Sequence, residues 1–306
     1  MSLKILFMGT PDFAVPILEA IHNSDNKILE IYTQPAKKKD RGQKIQNSSV
    51  YNCAQKLNLQ IRCPITLANS DEVDHIKKLN PDVVVVVAYG QILPADLLNL
   101  DKIYFLNVHA SLLPKWRGAA PIQRAIMNKD QETGISIMKI IEKLDAGPVL
   151  LKSKIKINRE NNYQDISDEM SAMGAKLILD ALNMIKSGDI NFIPQNEKEA
   201  TYAKKITKKE SKINWNEDAS NIIAKINALN PSPGPWFDLL GSRIKIIRAK
   251  EINIKGQPGE IMSENFSIAC SKNAIQILEL QKEGKKKITI QEFLRGNKIE
   301  TGITLS

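Results

Sequence analysis

Cysteine and histidine are scarce: the 306-residue chain holds three of each. Cys53, Cys63 and Cys270 show no C-x-x-C spacing and cannot all pair, which excludes a disulfide scaffold and fits a reduced compartment. His22, His75 and His109 are scattered, with no His/Cys cluster at ligand spacing, so no metal is expected. Glycine (15) and proline (14) are too few for a fibrous or low-complexity chain. No window holds ~18 uninterrupted apolar residues. The opening MSLKILFMGTPDF lacks the charged start and long apolar run of a secretory signal, so no membrane association and a cytoplasmic location are expected. Gly9 follows a strand-like run, but no G-x-G-x-x-G surrounds it, so NAD is not expected.

What remains reads as a folded protein. At 42% hydrophobic the chain is too apolar for intrinsic disorder, and its length exceeds a typical single domain, so two domains are expected. The formal net charge of +9 is uneven: residues 201–306 carry 18 Lys+Arg against 11 Asp+Glu, and the first 200 residues 25 against 23. A nearly neutral front and a basic back point to a polyanion, nucleic acid first, as partner of the back. Lys-rich solubility accounts for the same numbers, and charge alone does not choose between them.

The front alternates strand and helix signals. LKILFMG (3–9), ILEIYT (28–33), PDVVVVVAYG (81–90), IYFLNVHA (103–110) and GISIMKI (134–140) read as strands. The β-branched run in the third has no alternation, so both its faces are buried, as in a parallel sheet. TPDFAVPILEAIHN reads as a turn and helix that Thr10 can cap. Residues 35–48 read as a polar, basic loop. Residues 161–187 read as one helix with Ile166, Met170, Met173, Leu177 and Ile178 on a face and Gly188 past its end. Together these predict an α/β domain with a Rossmann-like, doubly wound, mostly parallel sheet. Residues 191–209 read as a charged linker. An amphipathic helix, the turn cluster NPSPGPW (230–236) and the short pieces SRIKIIRAKEI, GEIMSE, FSIACS and AIQILELQ follow, which predicts a small OB-like β-barrel. The expected domains are 1–190 and 210–306, joined by the basic linker 191–209.

Few residues are placed to do chemistry. His22 and His75 lie among polar residues of expected helices and read as surface groups. His109 ends an apolar strand two residues after Asn107, so both side chains project from one face, at the strand end where open parallel sheets bind ligands. In the segment that follows, Pro114, Gly118 and Pro121 hold a non-helical loop, and Pro121 suits the first turn of a helix. Leu112 and Leu113 offer an apolar wall for a planar ligand. Asp145, in the turn LDAGP 36 residues after His109, is either an ordinary turn residue or, beside a histidine in a cleft, the group that raises that histidine's proton affinity.

Asn107-x-His109, SLLP (111–114) running into WRGAAPI, and LDAGP resemble the folate-dependent formyltransferases. GTPDFAVPIL at 9–18, VVVAYGQILP at 85–94, TYAKKITKKESKINW at 201–215 and GKKKITIQEFLRG at 284–296 are similar to the branch of that family acting on methionyl-tRNA. The likeness runs over nearly the whole chain. Two positions depart from the pattern: Ala110 stands where relatives have Gly, and PAKKKDRGQK (35–44) replaces PDRPAGRGKK, retaining Arg41-Gly42.

The resemblance implies formyl transfer from 10-formyltetrahydrofolate to the amino group of methionine esterified to initiator tRNA. It implies Asn107 and a protonated His109 as donors to the oxyanion, and Asp145 near His109 as proton acceptor, directly or through water. Whether His109 or an Asp145-bound water takes the proton stays open. Folate is expected against Ser111, Leu112, Leu113, Pro114, Tyr89 and Ile92. The tRNA is expected against Arg41, Lys38, Lys44, Lys204, Lys205 and Lys208. A monomer is the simplest assembly. Competing readings are a related enzyme formylating glycinamide ribonucleotide or an amino sugar nucleotide, a 10-formyltetrahydrofolate hydrolase, and an RNA-binding protein without activity.

Overall fold

The computed structural model describes residues 2–39, 44–297 and 299–305. The elements of the front are β1 (Lys4–Gly9), α1 (Val15–His22), β2 (Lys27–Tyr32), β3 (Lys37–Lys39), β4 (Lys44–Gln46), α2 (Ser49–Lys56), β5 (Ile61–Arg62), α3 (Ser70–Leu79), β6 (Val83–Val87), α4 (Ala95–Leu98), β7 (Tyr104–His109) and β8 (Arg117–Gly118). Then come α5 (Pro121–Met127), β9 (Glu132–Lys139), β10 (Val149–Lys156), α6 (Tyr163–Ser187), β11 (Tyr202–Ala203), α7 (Ala219–Leu229), β12 (Trp236–Leu239), β13 (Ser242–Ile252), β14 (Ile261–Ser263), β15 (Ser267–Ala269), β16 (Ala274–Lys282), β17 (Ile288–Thr289) and α8 (Ile290–Gly296). They fall into two compact units: residues 1–118, 133–155 and 167–203, and residues 119–132, 156–166 and 204–306.

The first unit is built on a seven-stranded sheet in the order β10-β9-β7-β6-β1-β2-β5. The five valines of β6 are all buried, which puts that strand at the centre. β5, β2, β1, β6 and β7 run parallel, and β9 joins antiparallel to β7. Strand order reverses between β1 and β6, since the chain steps outward from β1 through β2 to β5 and returns to β6. Loops at the carboxyl ends of strands flanking such a switch point form ligand crevices. There the Thr10 hydroxyl donates to the Tyr89 carbonyl at 2.8 Å. Thr10 therefore ties two loops together instead of capping α1, whose N-cap residue is Ala14.

The α6 helix buries Ile166, Met170, Ile178, Ala181 and Leu182. A Cβ added at Gly174 would lie 3.2 Å from Val108 and 3.3 Å from Ile17, so the absent side chain lets the helix approach β7 closely. The loop expected at 35–48 contains a short antiparallel pair, β3 with β4. Strand β10, not among the strands read from the sequence, buries Val149 and Leu150 and then alternates half-buried and exposed residues from Leu151 to Lys156.

The second unit is a curled antiparallel sheet, β12-β13-β16-β15-β14 with β17 on β16, that forms a half-barrel. Helix α7 fills its concave face through Ile222 and Ile226, while α8 is closed by a capping box between Thr289 and Glu292. Aromatic residues are few in this chain, and four of them line up here. Trp215 meets Phe237 edge-on at 5.6 Å, Phe237 meets Phe266 edge-on at 6.1 Å, and Phe266 stacks on Phe293 at 6.0 Å. Phe237 is fully buried at the middle of this row. Phe237→Ala is expected to cost about 3–5 kcal/mol of unfolding free energy through the cavity it leaves. An unchanged midpoint in a urea titration of the variant would contradict this packing.

Candidate active site

Strand β7 alternates, so Asn107 and His109 share the face opposite buried Val108. Pairing of β7 with β9 sets Asn107 beside Met138 and His109 beside Ser136. The chain after β9 then turns through Asp145 and Gly147 and brings a carboxylate back to the end of β7. The turn is tight: a Cβ at Gly147 would approach the Lys139 carbonyl oxygen to 1.7 Å, so only glycine fits. Asp145 itself adopts a left-handed φ of 46°.

The Asp145 carboxylate collects three groups. Gly118 N–H donates to Oδ2 at 2.8 Å, Asn107 Nδ2 donates to Oδ1 at 3.4 Å, and His109 Nδ1 lies 3.7 Å from Oδ2. The other ring nitrogen of His109, Nε2, meets the Trp116 carbonyl at 3.0 Å. A carbonyl only accepts, so Nε2 carries a proton committed to the loop, and Nδ1 is the nitrogen that faces the site. His109 is 5% exposed.

The loop between β7 and β8 is held from within. Ser111 Oγ donates to the Lys115 carbonyl at 2.6 Å, and Ser136 Oγ donates to the Ser111 carbonyl at 2.7 Å. Leu113 N–H donates to Ser136 Oγ, Lys152 Nζ donates to the Leu113 carbonyl, and Leu113–Pro114 is cis. Ser111 and Leu113 are buried, while Leu112 and Pro114 are half-buried. On the loop after β6, Tyr89 is buried and Ile92 is 90% exposed. Among the described residues, Tyr89 Oη and Gln91 Oε1 are buried there without a hydrogen-bond partner.

A second set of residues emerges that the sequence pattern did not single out. Arg117 has no exposed surface. Its guanidinium donates to Gln195 Oε1 through Nε (3.1 Å) and Nη2 (2.9 Å), and to Glu197 through Nη1 (3.2 Å) and Nη2 (2.9 Å). Lys143 donates to Glu197 as well, at 2.7 Å. Beyond them, Thr201 bonds to Trp116, Arg117 and Pro114, and β11 pairs in parallel with β8. Residues 195–203 are thus strapped onto the active-site loop, although they read as part of a linker. A lone Gln or Glu in a polar stretch carries no periodic signal, and its partners lie about 80 positions away.

Of the expected tRNA-contacting residues, Lys38, Lys204, Lys205 and Lys208 are exposed. Lys204, Lys205 and Lys208 belong to the second unit, where the Lys204 carbonyl accepts from Arg124. Arg41 lies outside the described residues, as does the Lys44 side chain. Among the described residues no group of three or more His, Cys, Asp or Glu is placed to hold a metal ion, and no helix is long and apolar enough to cross a membrane.

Hydrogen bonds from Arg117 and then Lys143 hold the Glu197 carboxyl down to about 2, against an ordinary 4.5. A group depressed on folding contributes stability that is fully present above its unfolded value and is lost as pH falls through its folded value. Glu197→Gln is therefore expected to flatten the acid limb of the stability profile between pH 4.5 and 2. Urea midpoints measured against pH check this, and identical limbs in both proteins would remove Glu197 from the network.

Comparison with known proteins matches residues 3–182 to the formyl transferase family and residues 205–298 to the formyl transferase C-terminal domain. A methionyl-tRNA formyltransferase of Pelagibacter ubique is 48% identical over 304 residues, 99% of this chain and 98% of the relative. One from Afipia carboxidovorans is 41% identical, covering 97% of both chains. Among solved structures, a sugar 3N-formyl transferase, WlaRD, in the presence of dTDP and 5-N-formyl-THF, shares the fold with a TM-score of 0.66 at 21% identity, covering 94% of this chain and 100% of that one. HypX from Aquifex aeolicus, in complex with tetrahydrofolic acid, does so at 0.65 and 18% over 99% of this chain, which spans about half (51%) of HypX. Two family models that together take in most of the sequence, and relatives matched almost end to end, show that the chain belongs to the formyltransferase family and, within it, to the methionyl-tRNA formyltransferases.

Proposed function

We infer that the chain transfers the formyl group of 10-formyltetrahydrofolate to the α-amino group of methionine on initiator tRNA. The observation that carries this is the meeting of the Asn107 amide, the His109 ring and the Asp145 carboxylate at the end of β7. The formyl donor supplies an activated one-carbon unit when bound. The residues present fit such a ligand: a pinned loop with Leu112 half-buried, exposed Ile92, and the unpartnered Tyr89 Oη and Gln91 Oε1 in the loop after β6.

The chemistry divides among the three residues. The amine attacks only when neutral, so the site needs a proton acceptor, and Asp145 is the carboxylate in place. Negative charge builds on the formyl oxygen. The Asn107 amide is one donor to it, and His109, when protonated, offers a second through Nδ1, the ring nitrogen on the Asp145 side. Gly118 N–H keeps one Asp145 oxygen fixed while the proton moves. The tRNA is held by exposed lysines, Lys204, Lys205 and Lys208 in the second unit and Lys38 on the β3–β4 pair, with Arg41 and Lys44 beside it in sequence. We take the enzyme to act in the cytoplasm, as a monomer.

Labelled 10-formyltetrahydrofolate offered with methionyl initiator tRNA, glycinamide ribonucleotide, an amino sugar nucleotide or buffer tests the assignment. Label is expected on the tRNA, and label appearing only as formate or on another amine would overturn it. Asn107→Ala, His109→Ala and Asp145→Ala are each expected to lower turnover at least ~10²-fold with the fold intact. Near-normal turnover in any of the three removes that residue from the chemistry. Affinity for tRNA is expected to fall roughly tenfold or more between about 50 and 200 mM salt, because bound phosphates release counterions. A flat salt response would show that the lysines do not meet phosphate.

A further inference from the structure

We propose that Gln195 is a positioning residue for formyl transfer, setting the Asp145 carboxylate against Asn107 and His109, and that buried Arg117 dictates which way Gln195 points. The proposal rests on the function just inferred.

The carboxamide of Gln195 is fully engaged. Its Nε2 donates to the Asp145 carbonyl at 2.9 Å and to the Gly147 carbonyl at 2.7 Å. Its Oε1 accepts from Nε and Nη2 of Arg117. An amide group has nearly the same shape either way round, so its partners determine its orientation. Arg117 has only donors and must face the oxygen. The nitrogen is then forced toward the two carbonyls, one on each side of Ala146.

Those carbonyls belong to the backbone that carries the catalytic carboxylate. The turn combines a left-handed Asp145 with a glycine that admits no side chain, so it is not a conformation the segment favours by itself. Within the turn, Ala146 N–H donates to the Lys143 carbonyl at 3.2 Å. Gly118 N–H fixes the side-chain end of Asp145 and Gln195 fixes its backbone end. Gly118 follows Arg117 directly, so one dipeptide controls Asp145 from both ends. Loss of either hold lets the carboxylate drift, and a displacement of ~1 Å costs about 10²-fold in rate.

Two substitutions separate positioning from bulk. Gln195→Leu preserves size and removes both donors together with the oxygen that Arg117 faces. Gln195→Glu keeps an acceptor for Arg117, so the buried charge stays paired and the fold is retained, but it sets a carboxylate oxygen against two carbonyl oxygens. Both variants are expected to lower kcat about 10–10²-fold while KM for the formyl donor and for tRNA stays within about twofold. Single-turnover rates in an Asp145→Asn background complete the test. There Gln195→Leu is expected to add less than about twofold, because the group it positions no longer takes the proton. The proposal fails if Gln195→Glu turns over like the wild type, if KM rises in place of the loss in kcat, or if Gln195→Leu costs the same with and without Asp145. Wild-type protein in the same assay reports on the assigned reaction separately, since absence of transfer there condemns that assignment and not the role of Gln195.

Discussion

A guanidinium taken wholly out of water needs oxygen atoms in its own plane, and leaving them out is more costly than almost any other packing error. Arg117 is in that position, and the chain has met the demand with Gln195 and Glu197, both brought from about 80 residues downstream. Much else at the site follows from this. Gln195 can receive Arg117 in only one orientation, its nitrogen then reaches the Asp145–Gly147 turn, and Thr201 and β11 complete the attachment along β8. The planar fork of arginine, with donors in two directions at once, suits this role in a way that lysine's point charge does not.

The parallel sheet supplies the other half of the geometry. Its order reverses at β1 and β6, and the Thr10–Tyr89 bond spans the loops leaving those two strands. One strand further along, β7 ends in Asn107 and His109, and β9 runs back beside it so that the chain leaves toward Asp145. The donors thus stand at the end of one strand of the layer, and the acceptor in the turn that follows its neighbour β9.

Much of this was readable from the amino acids, for identifiable reasons. The valine run of 83–87 has no polar alternative and could only be a buried strand. The helical spacing of apolar residues along 161–187 and the apolar run of 103–110 are local signals, and local signals survive folding. Asn107 and His109 stood out because polar residues ending an apolar strand are rarely accidental. Arg117 did not stand out as buried, because an arginine in a Trp-Arg-Gly loop reads as a surface cation. Gln195, Glu197 and Thr201 were invisible for a related reason: their work is defined entirely by partners distant in sequence. The role of Thr10 was misread on the same ground, since a threonine before a helix is a common cap and its real acceptor lies 79 residues away.

The pairing of Tyr202–Ala203 with Arg117–Gly118 bears on where the chain can be cut and rejoined. A fragment ending near residue 182, where the match to the first family model stops, would contain Asn107, His109 and Asp145 yet leave Arg117 without counter-groups. Its seven strands would be present while the scaffolding of its chemistry was missing. For recombination between relatives, the natural seam therefore lies after Ala203 and not at the end of the long helix, so the segment between them travels with the front part as an inseparable heirloom of the site it braces.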